Sequence, residues 1–329
     1  MTRFLRLSIA AAAAIAVLWA AIHATRPKAP AAMPTEGSSV FGEDFWKFWG
    51  DGKAELSGYD LVFRRYGELR EGVAVTIFVT ETFSNSLRVK SDPGKHPKSD
   101  EFPVMKLNLV EDFSTGIYDY NLMTSSFVAL TPVNGRSAGS LTKVSFSSQE
   151  WCGNVYAQLL FDAAGQSRLT SHSYFDDEGD QSRTISVPAE VLSGDAILLW
   201  ARGLSAPWLA PGERRTVPLV RSLETARLEH RHVEMLRATL SRAAAPSRSS
   251  VPAGAFEVES NRVEIEGGPA WTISVEAAWP HRIIEWETSE GQKASLLGSD
   301  RLQYWKLNAP GGESALSKLG LTPRAARMP

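Results

Sequence analysis

The chain has 329 residues, of which 43% are apolar and 22% are charged, and 35 basic against 37 acidic side chains give a net charge of −2. A chain of this length can bury a sizeable core, either as one large β domain or as two smaller ones. Because no overall positive charge attracts polyanions, these numbers argue against a nucleic-acid partner.

The N-terminus is typical of an export signal. Arg3 and Arg6 precede an uncharged apolar run, residues 7–24, and a Pro- and Ala-rich linker follows it. The run is near the length of a membrane span, but its many alanines make it only weakly hydrophobic. We therefore predict an exported protein of the periplasm or cell envelope, with residues 1–35 as a cleaved signal peptide or an uncleaved anchor plus linker. Membrane contact is expected only through residues 7–24, if they are not cleaved.

A short amphipathic helix is predicted directly after the linker. The sequence EDFWKFW brings Phe45, Trp46, Phe48 and Trp49 close together, and the glycines that follow Trp49 end the helix. The chain holds ten tryptophans, most of which we expect to fill the core. Some large amphipathic aromatic side chains also line contact surfaces, so Trp46 and Trp49 are candidate ligand-binding residues.

Strand patterns dominate the next part of the chain. Residues 54–66 and 71–83 are two β-rich runs around a short turn, and the second alternates between two faces. Residues 103–113 and 115–130 continue the period of two, with Tyr118 and Tyr120 on the same side. The pattern predicts a meander of antiparallel strands.

Residues 140–162 are predicted to be one long strand bent by a bulge. Turns at 163–168 and 177–180 then separate further strands. A helix is predicted to begin at Pro188 and to run through residues 189–204. Residues 251–308 form another meander of strands.

Residues 224–241 fit two structures. Their Glu, Leu, Arg and Ala content favours a helix, whereas a strand would place Leu228, His230, His232 and Glu234 on one face. We favour the strand, because strands surround the segment.

Cys152 is the single cysteine, and its position excludes two roles. A bacterial lipoprotein needs a cysteine at the end of its signal sequence, so this chain is not a lipoprotein. A lone cysteine in an oxidising compartment also has no partner within its own chain, which excludes an internal disulfide.

A nucleophilic cysteine needs a nearby base, and the sequence places none beside Cys152. Glu150 disfavours a thiolate, and His172 is expected across a hairpin but about six positions away. We therefore predict that Cys152 is a mostly buried, unpaired thiol in a strand, with Trp151 pointing to the other side of the sheet. A catalytic Cys152 is the alternative.

His230, His232 and Glu234 are the weak metal candidates. On a strand they form a one-faced set of two nitrogens and one oxygen suited to zinc or copper, but on a helix only His230 and Glu234 are neighbours. Because charged residues surround them, we favour a solvated charged face. The sequence contains no Walker loop, dinucleotide fingerprint, zincin helix or G-x-S-x-G elbow, and we predict no cofactor.

Four segments carry a resemblance to known proteins. FWKFWGDGKAELSGYDL, TGIYDYNLMTS and KVSFSSQEWCG resemble a family of uncharacterised bacterial envelope proteins that sometimes carry the label septum formation inhibitor Maf. The Ser-Pro-Arg-Arg type motif with which Maf nucleotide pyrophosphatases begin is absent from this chain. VPAGAFEVE and the strands after it resemble periplasmic domains of unknown function, whose long curved sheets are similar to those of lipoprotein carriers. The resemblance covers most of the chain after the signal, and it implies no catalytic residues.

We therefore predict a mainly β fold, a long curved antiparallel sheet or half-open barrel with one or two helices. Residues 36–320 form one large domain, with possible halves 36–210 and 211–320. Residues 321–329 form a disordered tail.

The leading functional hypothesis is a binding protein of the envelope without catalysis. It binds a hydrophobic ligand such as a lipid acyl chain, or a protein partner, on the curved sheet. The alternative is an exported hydrolase or metal-dependent enzyme that uses Cys152 or the His230/His232 pair. The candidate ligand-binding residues are Trp46, Trp49, Tyr118, Tyr120 and Trp151.

Overall fold

The computed structural model describes residues 41–162 and 165–323. It is mainly β, with 53% strand and 12% helix, which confirms the predicted fold class. The signal and linker predicted for residues 1–35 lie outside the described residues. Among the residues that the structure describes, none belongs to a helix that is both long and apolar enough to span a bilayer.

The strands share one sheet. They are β1 (Ala54–Arg65), β2 (Glu68–Ser84), β3 (Glu101–Thr115), β4 (Tyr118–Ala129), β5 (Leu141–Glu150), β6 (Gly153–Phe161), β7 (Gln166–Ser173) and β8 (Gln181–Ser186). The second series is β9 (Leu192–Ser193), β10 (Arg214–Val220), β11 (Met235–Arg242), β12 (Ser247–Val251), β13 (Gly254–Ile265), β14 (Ala270–Glu276), β15 (Ile283–Thr288) and β16 (Lys293–Leu302). The α-helices are α1 (Glu43–Trp49), α2 (Ile197–Ala201) and α3 (Leu223–Leu228).

Two meanders are joined through the first and last strands. The sheet has 16 strands, in the order β8 to β1, then β16 to β13, β11, β10 and β9, while β12 pairs with β13. Neighbours are antiparallel except β9 and β10. β1 pairs with β16 from Ala54↔Leu302 to Val62↔Lys293. The change from one meander to the other falls between β8 and β9, so it precedes the boundary predicted at residue 210.

The concave face of this sheet is filled by the chain itself. Alternate residues of the strands point inward, and buried residues of α2, of α3 and of the loops beside them pack onto them as part of one large apolar core. All five residues of α2 are buried. Polar side chains fix the segment in place, because Ser126 Oγ donates to the Asp195 carbonyl at 2.8 Å and Arg136 Nη2 donates to the Ala189 carbonyl at 2.8 Å.

The helix predicted to begin at Pro188 is much shorter in the structure. Its first half is β9 and a 3-10 turn, Gly194–Ala196, and only Ile197–Ala201 is α-helical. Gly194 lies so close to Ser222 that a Cβ there would meet the Ser222 backbone nitrogen at 2.8 Å. The chain at Gly194 approaches Ser222 closely where the first turns of the helix were expected. The sequence does not reveal this approach.

Residues 224–241 contain both predicted structures. The segment begins inside α3, where Ser222 caps the first turn by accepting hydrogen bonds from the amides of Glu224 and Thr225, and it ends in β11. A loop of residues 229–234 separates the two. A strand through the whole segment was therefore the wrong choice.

Residues 140–162 form a hairpin and not a single bent strand. β5 and β6 are paired as far as Glu150↔Gly153, so Trp151 and Cys152 are the two turn residues. Of the turn predicted at residues 163–168, residues 163–164 lie outside the described residues and residues 166–168 belong to β7. His172 pairs with Tyr156, two positions from the predicted partner.

The C-terminal segment packs on the convex face. Its 3-10 helix, Gly312–Leu319, contacts β1 and β16. Gly58 permits this approach, because a Cβ there would collide with the Leu319 carbonyl and come within 2.9 Å of Leu321 Cγ. Leu321 packs against a small apolar cluster, so the ordered fold continues past the predicted start of the tail.

A buried ion pair ties α2 to the centre of the sheet. Arg202 donates to both Glu55 oxygens at 2.6 and 3.2 Å, and its guanidinium lies 4.3 Å from the centre of the Phe78 ring. The two side chains are 0% and 4% exposed. Neither charge has access to water, so each depends on the other.

We expect Arg202→Met to lower the free energy of unfolding by about 3–5 kcal/mol, because it leaves Glu55 buried without a partner. Urea unfolding at neutral pH measures the change. The double variant Glu55→Met/Arg202→Met is the control, and it should recover most of the loss. Equal instability of the single and double variants would contradict this account.

Candidate functional site

Four hairpin tips lie side by side at one end of the first meander. They are residues 66–67, 116–117, 151–152 and 174–180, which join β1 to β2, β3 to β4, β5 to β6 and β7 to β8. The strand registers offset each tip from the next by about two residues, always in the same direction along the sheet. Gly72 pairs with Phe113, Asn121 with Gln149 and Val155 with Ser173, so each tip is within a few residues of level with the next.

Each tip exposes one large apolar side chain. Tyr66 is 58% exposed, Ile117 85%, Trp151 66% and Tyr174 73%. We call these four residues the aromatic rim. The rings of Tyr118 and Trp151 lie 6.3 Å apart, so neighbouring tips are in contact. Gly153 leaves the space that the Tyr174 ring occupies.

Tyrosine hydroxyls and an arginine support the rim from below. The hydroxyl of Tyr66 lies 2.6 Å from that of Tyr120 and 3.4 Å from that of Tyr118. The Arg65 guanidinium stacks 4.1 Å above the centre of the Tyr66 ring. Burial, followed by hydrogen bonds to Glu150 and Tyr66, raises the pKa of Tyr120, which therefore stays protonated.

Tyr66 holds an unfavourable backbone conformation. Its φ is 55° and that of Gly67 is 78°, which is the geometry of a two-residue hairpin turn that usually takes Asn-Gly. A left-handed residue with a large side chain costs about 1–2 kcal/mol. The hydroxyl bonds and the Arg65 stack are the interactions that offset this cost.

Arg227 of α3 connects the tips to the interior. Its Nη2 lies 3.1 Å from Glu150 Oε1 and its Nη1 lies 3.5 Å from Glu178 Oε1, and the Arg227 and Glu150 side chains are 4% and 2% exposed. The guanidinium also lies 3.6 Å from the centre of the Phe175 ring. Two hairpin tips are thereby fixed to one helix.

A pocket of about 400 Å³ opens on the concave side beside these tips. We call it the hairpin-end pocket. Its apolar side is formed by Val155, Ala157, Leu169, Leu223, Ala226 and Val233. Charged side chains of both signs and two histidines surround them, and these are Asp176, Asp177, Glu178, Arg183, Arg227, Arg231, His230 and His232.

The three metal candidates do not form the one-faced set expected of a strand. His230 and His232 lie in the loop after α3 and both line the hairpin-end pocket. His230 Nδ1 lies 2.8 Å from Glu178, whereas Glu234 turns away and pairs with Arg221 at 2.7 Å. No group of three His, Cys, Asp or Glu side chains within residues 41–162 and 165–323 is arranged to hold a metal ion.

Cys152 is exposed, and the prediction of a buried strand cysteine was wrong. It is the second residue of a two-residue turn, where side chains face the solvent and do not alternate across the sheet. Trp151 is exposed beside it, at the rim.

The five predicted ligand-binding aromatics fall into two places. Tyr118, Tyr120 and Trp151 meet at the rim, with Tyr120 buried below it. Trp46 and Trp49 lie in α1, where Trp49 is 0% exposed and packs against Phe78 and Arg202. Trp49 therefore belongs to the core, far along β1 from the rim.

A second cluster, which sequence reasoning missed, lies in the middle of the concave face. Glu111 of β3 and Glu224 of α3 share a hydrogen bond and line a narrow cleft of about 60 Å³ with Asp195. Burial, then the neighbouring Asp195 charge, raises the pKa of Glu224 to about 7. Burial and Glu224 raise the pKa of Glu111 well above its usual value. The inward position of Glu111, between Leu109 and Phe113, was the available signal.

An apolar groove of about 550 Å³ lies on the opposite, convex face. Leu56 and Leu302 form its floor, and the C-terminal segment from Tyr304 to Leu319 forms its wall. Its lining carries one carboxylate, Glu313, so it is less polar than the hairpin-end pocket.

The exposure of Cys152 generates a simple prediction. A thiol reagent should modify the folded protein completely within minutes, because the thiol is at a hairpin tip. Cys152→Ser should change the free energy of unfolding by less than about 0.5 kcal/mol, since the site is exposed. Slow labelling that speeds up only in urea would show that the side chain is buried after all.

The carboxyl pair predicts a loss of stability at alkaline pH. The folded-state pKa of Glu224, about 7, is above its unfolded value, so the stabilising contribution of the protonated form is complete below about pH 4.5 and is lost as pH rises through 7. Glu224→Gln stays neutral, and it should be more stable than the parent at pH 9 by on the order of 2–3 kcal/mol. Thermal unfolding between pH 5 and 9 measures this, with exposed Glu290→Gln as the control. If the parent, Glu224→Gln and Glu290→Gln lost stability with pH in the same way, the raised pKa of Glu224 would be refuted.

Comparison with known proteins gives little. No family model matches the chain, and no curated protein sequence matches it. A solved structure of a DUF1089 family protein from Pseudomonas aeruginosa is similar over 54% of this chain and 82% of its own, with 11% identity and a TM-score of 0.31. A likeness at that score carries no argument about fold or function.

Proposed function

We propose that this protein is an exported, non-catalytic binding protein of the cell envelope that holds a single-chain amphiphile in the hairpin-end pocket. The observation that carries the proposal is a cavity of about 400 Å³ with an apolar side and a charged mouth. Pockets for small ligands commonly have volumes of about 300–1,000 Å³. The six apolar and ten polar residues that line this one suit a ligand with both an apolar and a charged part. The N-terminal sequence supports export.

The rest of the concave face is closed to a ligand of that size. The central cleft offers about 60 Å³, which is room for a water molecule or two but not for an acyl chain. A further cavity beside Trp200, Asn261 and Val275 offers about 130 Å³, which is also smaller than the hairpin-end pocket. On the concave face the proposed ligand is therefore confined to the hairpin-end pocket, which residues of α3, β6 and β7 line.

The chemistry of the lining indicates an amphiphile. Val155, Ala157 and Leu169 offer an apolar surface to a chain. Arg231, which is 54% exposed, and the carboxylates of Asp176 and Asp177 place both signs of charge at the mouth. A zwitterionic head group, with a phosphate and an ammonium, complements both.

Filling the pocket tests the proposal. Ala157→Phe places a ring in the pocket from a strand position that tolerates aromatic residues, and we expect it to weaken binding of a fluorescent lysophospholipid at least tenfold. Binding is measured by fluorescence titration below the micellar concentration. Ala315→Phe, in the convex groove, is the matched control and should leave binding unchanged.

The exposed Arg231 provides a second variant that does not disturb the core. Arg231→Glu should weaken the same probe severalfold while the melting temperature stays that of the parent. If Ala315→Phe abolishes binding and both pocket variants do not, the ligand lies in the convex groove. If the parent does not bind the probe, the proposed function is wrong.

A further inference from the structure

We propose that the aromatic rim docks on the surface of a zwitterionic lipid bilayer, so that the hairpin-end pocket faces the membrane. This inference rests on the proposed function for its consequence, because it makes the membrane the source of the ligand. Its own support is the geometry and charge of the four tips.

The rim has the composition of a membrane-interface surface. Tyr and Trp favour the level of the lipid head groups, where their rings meet apolar chains and their polar atoms stay hydrated. The rim presents Tyr66, Trp151 and Tyr174 around Ile117, which at 85% is the most exposed large apolar side chain among the described residues. Four such residues on adjacent tips that contact one another form one stepped surface and are not scattered apolar residues.

The rim is also held rigid, as a docking surface requires. Tyr66 keeps its left-handed backbone through the bond to Tyr120 and the stack on Arg65. The Tyr174 ring is held against Gly153. Exposed apolar rings that are fixed in this way lose little further side-chain entropy on binding.

The charges of the four hairpin tips indicate which lipid head groups the rim prefers. The turn residues 66–67, 116–117, 151–152 and 174–180 include Asp176, Asp177, Glu178 and Asp180 but no Lys or Arg. Glu178 pairs with Arg227 and His230, and Asp180 pairs with His172, so the negative charge of the tips comes mainly from Asp176 and Asp177. These two carboxylates repel anionic lipids and attract the ammonium groups of phosphatidylcholine or phosphatidylethanolamine. The net charge of the tips therefore favours a zwitterionic membrane.

The chain outside the described fold has the length to permit this contact. Residues 25–40 separate the apolar run 7–24 from Phe41. Sixteen residues span at most about 55 Å, whereas the 12 residues of β1, which separate α1 from the rim, span about 40 Å. A bilayer that holds the apolar run is thus within reach of the rim.

Cys152 is a natural reporter for this contact, because it is the single cysteine and lies next to Trp151 of the rim. The full-length chain is labelled there with an environment-sensitive fluorophore and reconstituted into phosphatidylcholine vesicles that contain nitroxide-labelled lipid. We expect strong quenching at Cys152. A label on Lys53→Cys in a Cys152→Ser background lies at the opposite end of β1 and is nearer to the apolar run along the chain. It should nevertheless be quenched at least threefold less.

Rim variants complete the test. Ile117→Ser/Tyr174→Ser keeps Trp151 and Cys152 and should reduce quenching at Cys152 at least threefold, with an unchanged melting temperature. Replacing part of the phosphatidylcholine by phosphatidylglycerol should reduce quenching as well. Equal quenching at positions 53 and 152, or an increase with phosphatidylglycerol, would overturn the proposal.

Two further outcomes are informative. A change in the label that depends on protein concentration without vesicles would show that the rim is a protein contact, and it would also overturn the proposal. Lysophospholipid binding in solution tests the pocket by itself. A negative result in that titration would therefore reject the proposed function, whereas a negative result in the quenching experiment would reject membrane docking.

Discussion

The backbone pairing of β1 with β16 is the constraint on which the architecture depends. Without it the chain is two separate meanders, each with an apolar face that neither buries alone. β1 also carries the side chains that join the parts. Glu55 holds Arg202 beyond α2, and the Tyr59 hydroxyl donates to the Ile283 carbonyl of β15 at 3.0 Å. Burial raises the pKa of Tyr59 to about 12, so this donor remains protonated at all physiological pH values.

The sequence was informative where local physics decides the structure. The period of two identified the long strands, and the two glycines after Trp49 correctly ended α1. It was misleading where tertiary contacts override local preference. Trp-Cys is not a usual two-residue turn, and nothing in residues 150–153 indicates one. The pairing of β5 with β4 on one side and β6 on the other is what imposes that hairpin.

In the candidate site, too, the sequence predicted some features and could not predict others. Aromatic composition pointed to Tyr118, Tyr120 and Trp151, which the registers of β4 and β5 do bring together. Glu178 and Arg227 are 49 residues apart in the chain, and only the packing of α3 against the β7–β8 tip makes them neighbours. Pairings of this range depend on the whole fold, so a single sequence contains no local signal for them.

Helix α3 is where stability and proposed function meet. Glu224 and Arg227 are three residues apart, close to one turn of a helix, yet they serve different clusters. Glu224 joins Glu111 in the central cleft, while Arg227 pairs with Glu150 and Glu178 at the hairpin end. Leu223 and Ala226 of the same helix line the hairpin-end pocket. Helix α3 has only six residues, and the same backbone hydrogen bonds hold both of its ends. Its two ends therefore move together. A displacement of α3 by a ligand is therefore also a displacement of the carboxyl that shares a proton with Glu111. The fold thereby connects a buried carboxyl with a raised pKa to the wall of the proposed ligand pocket.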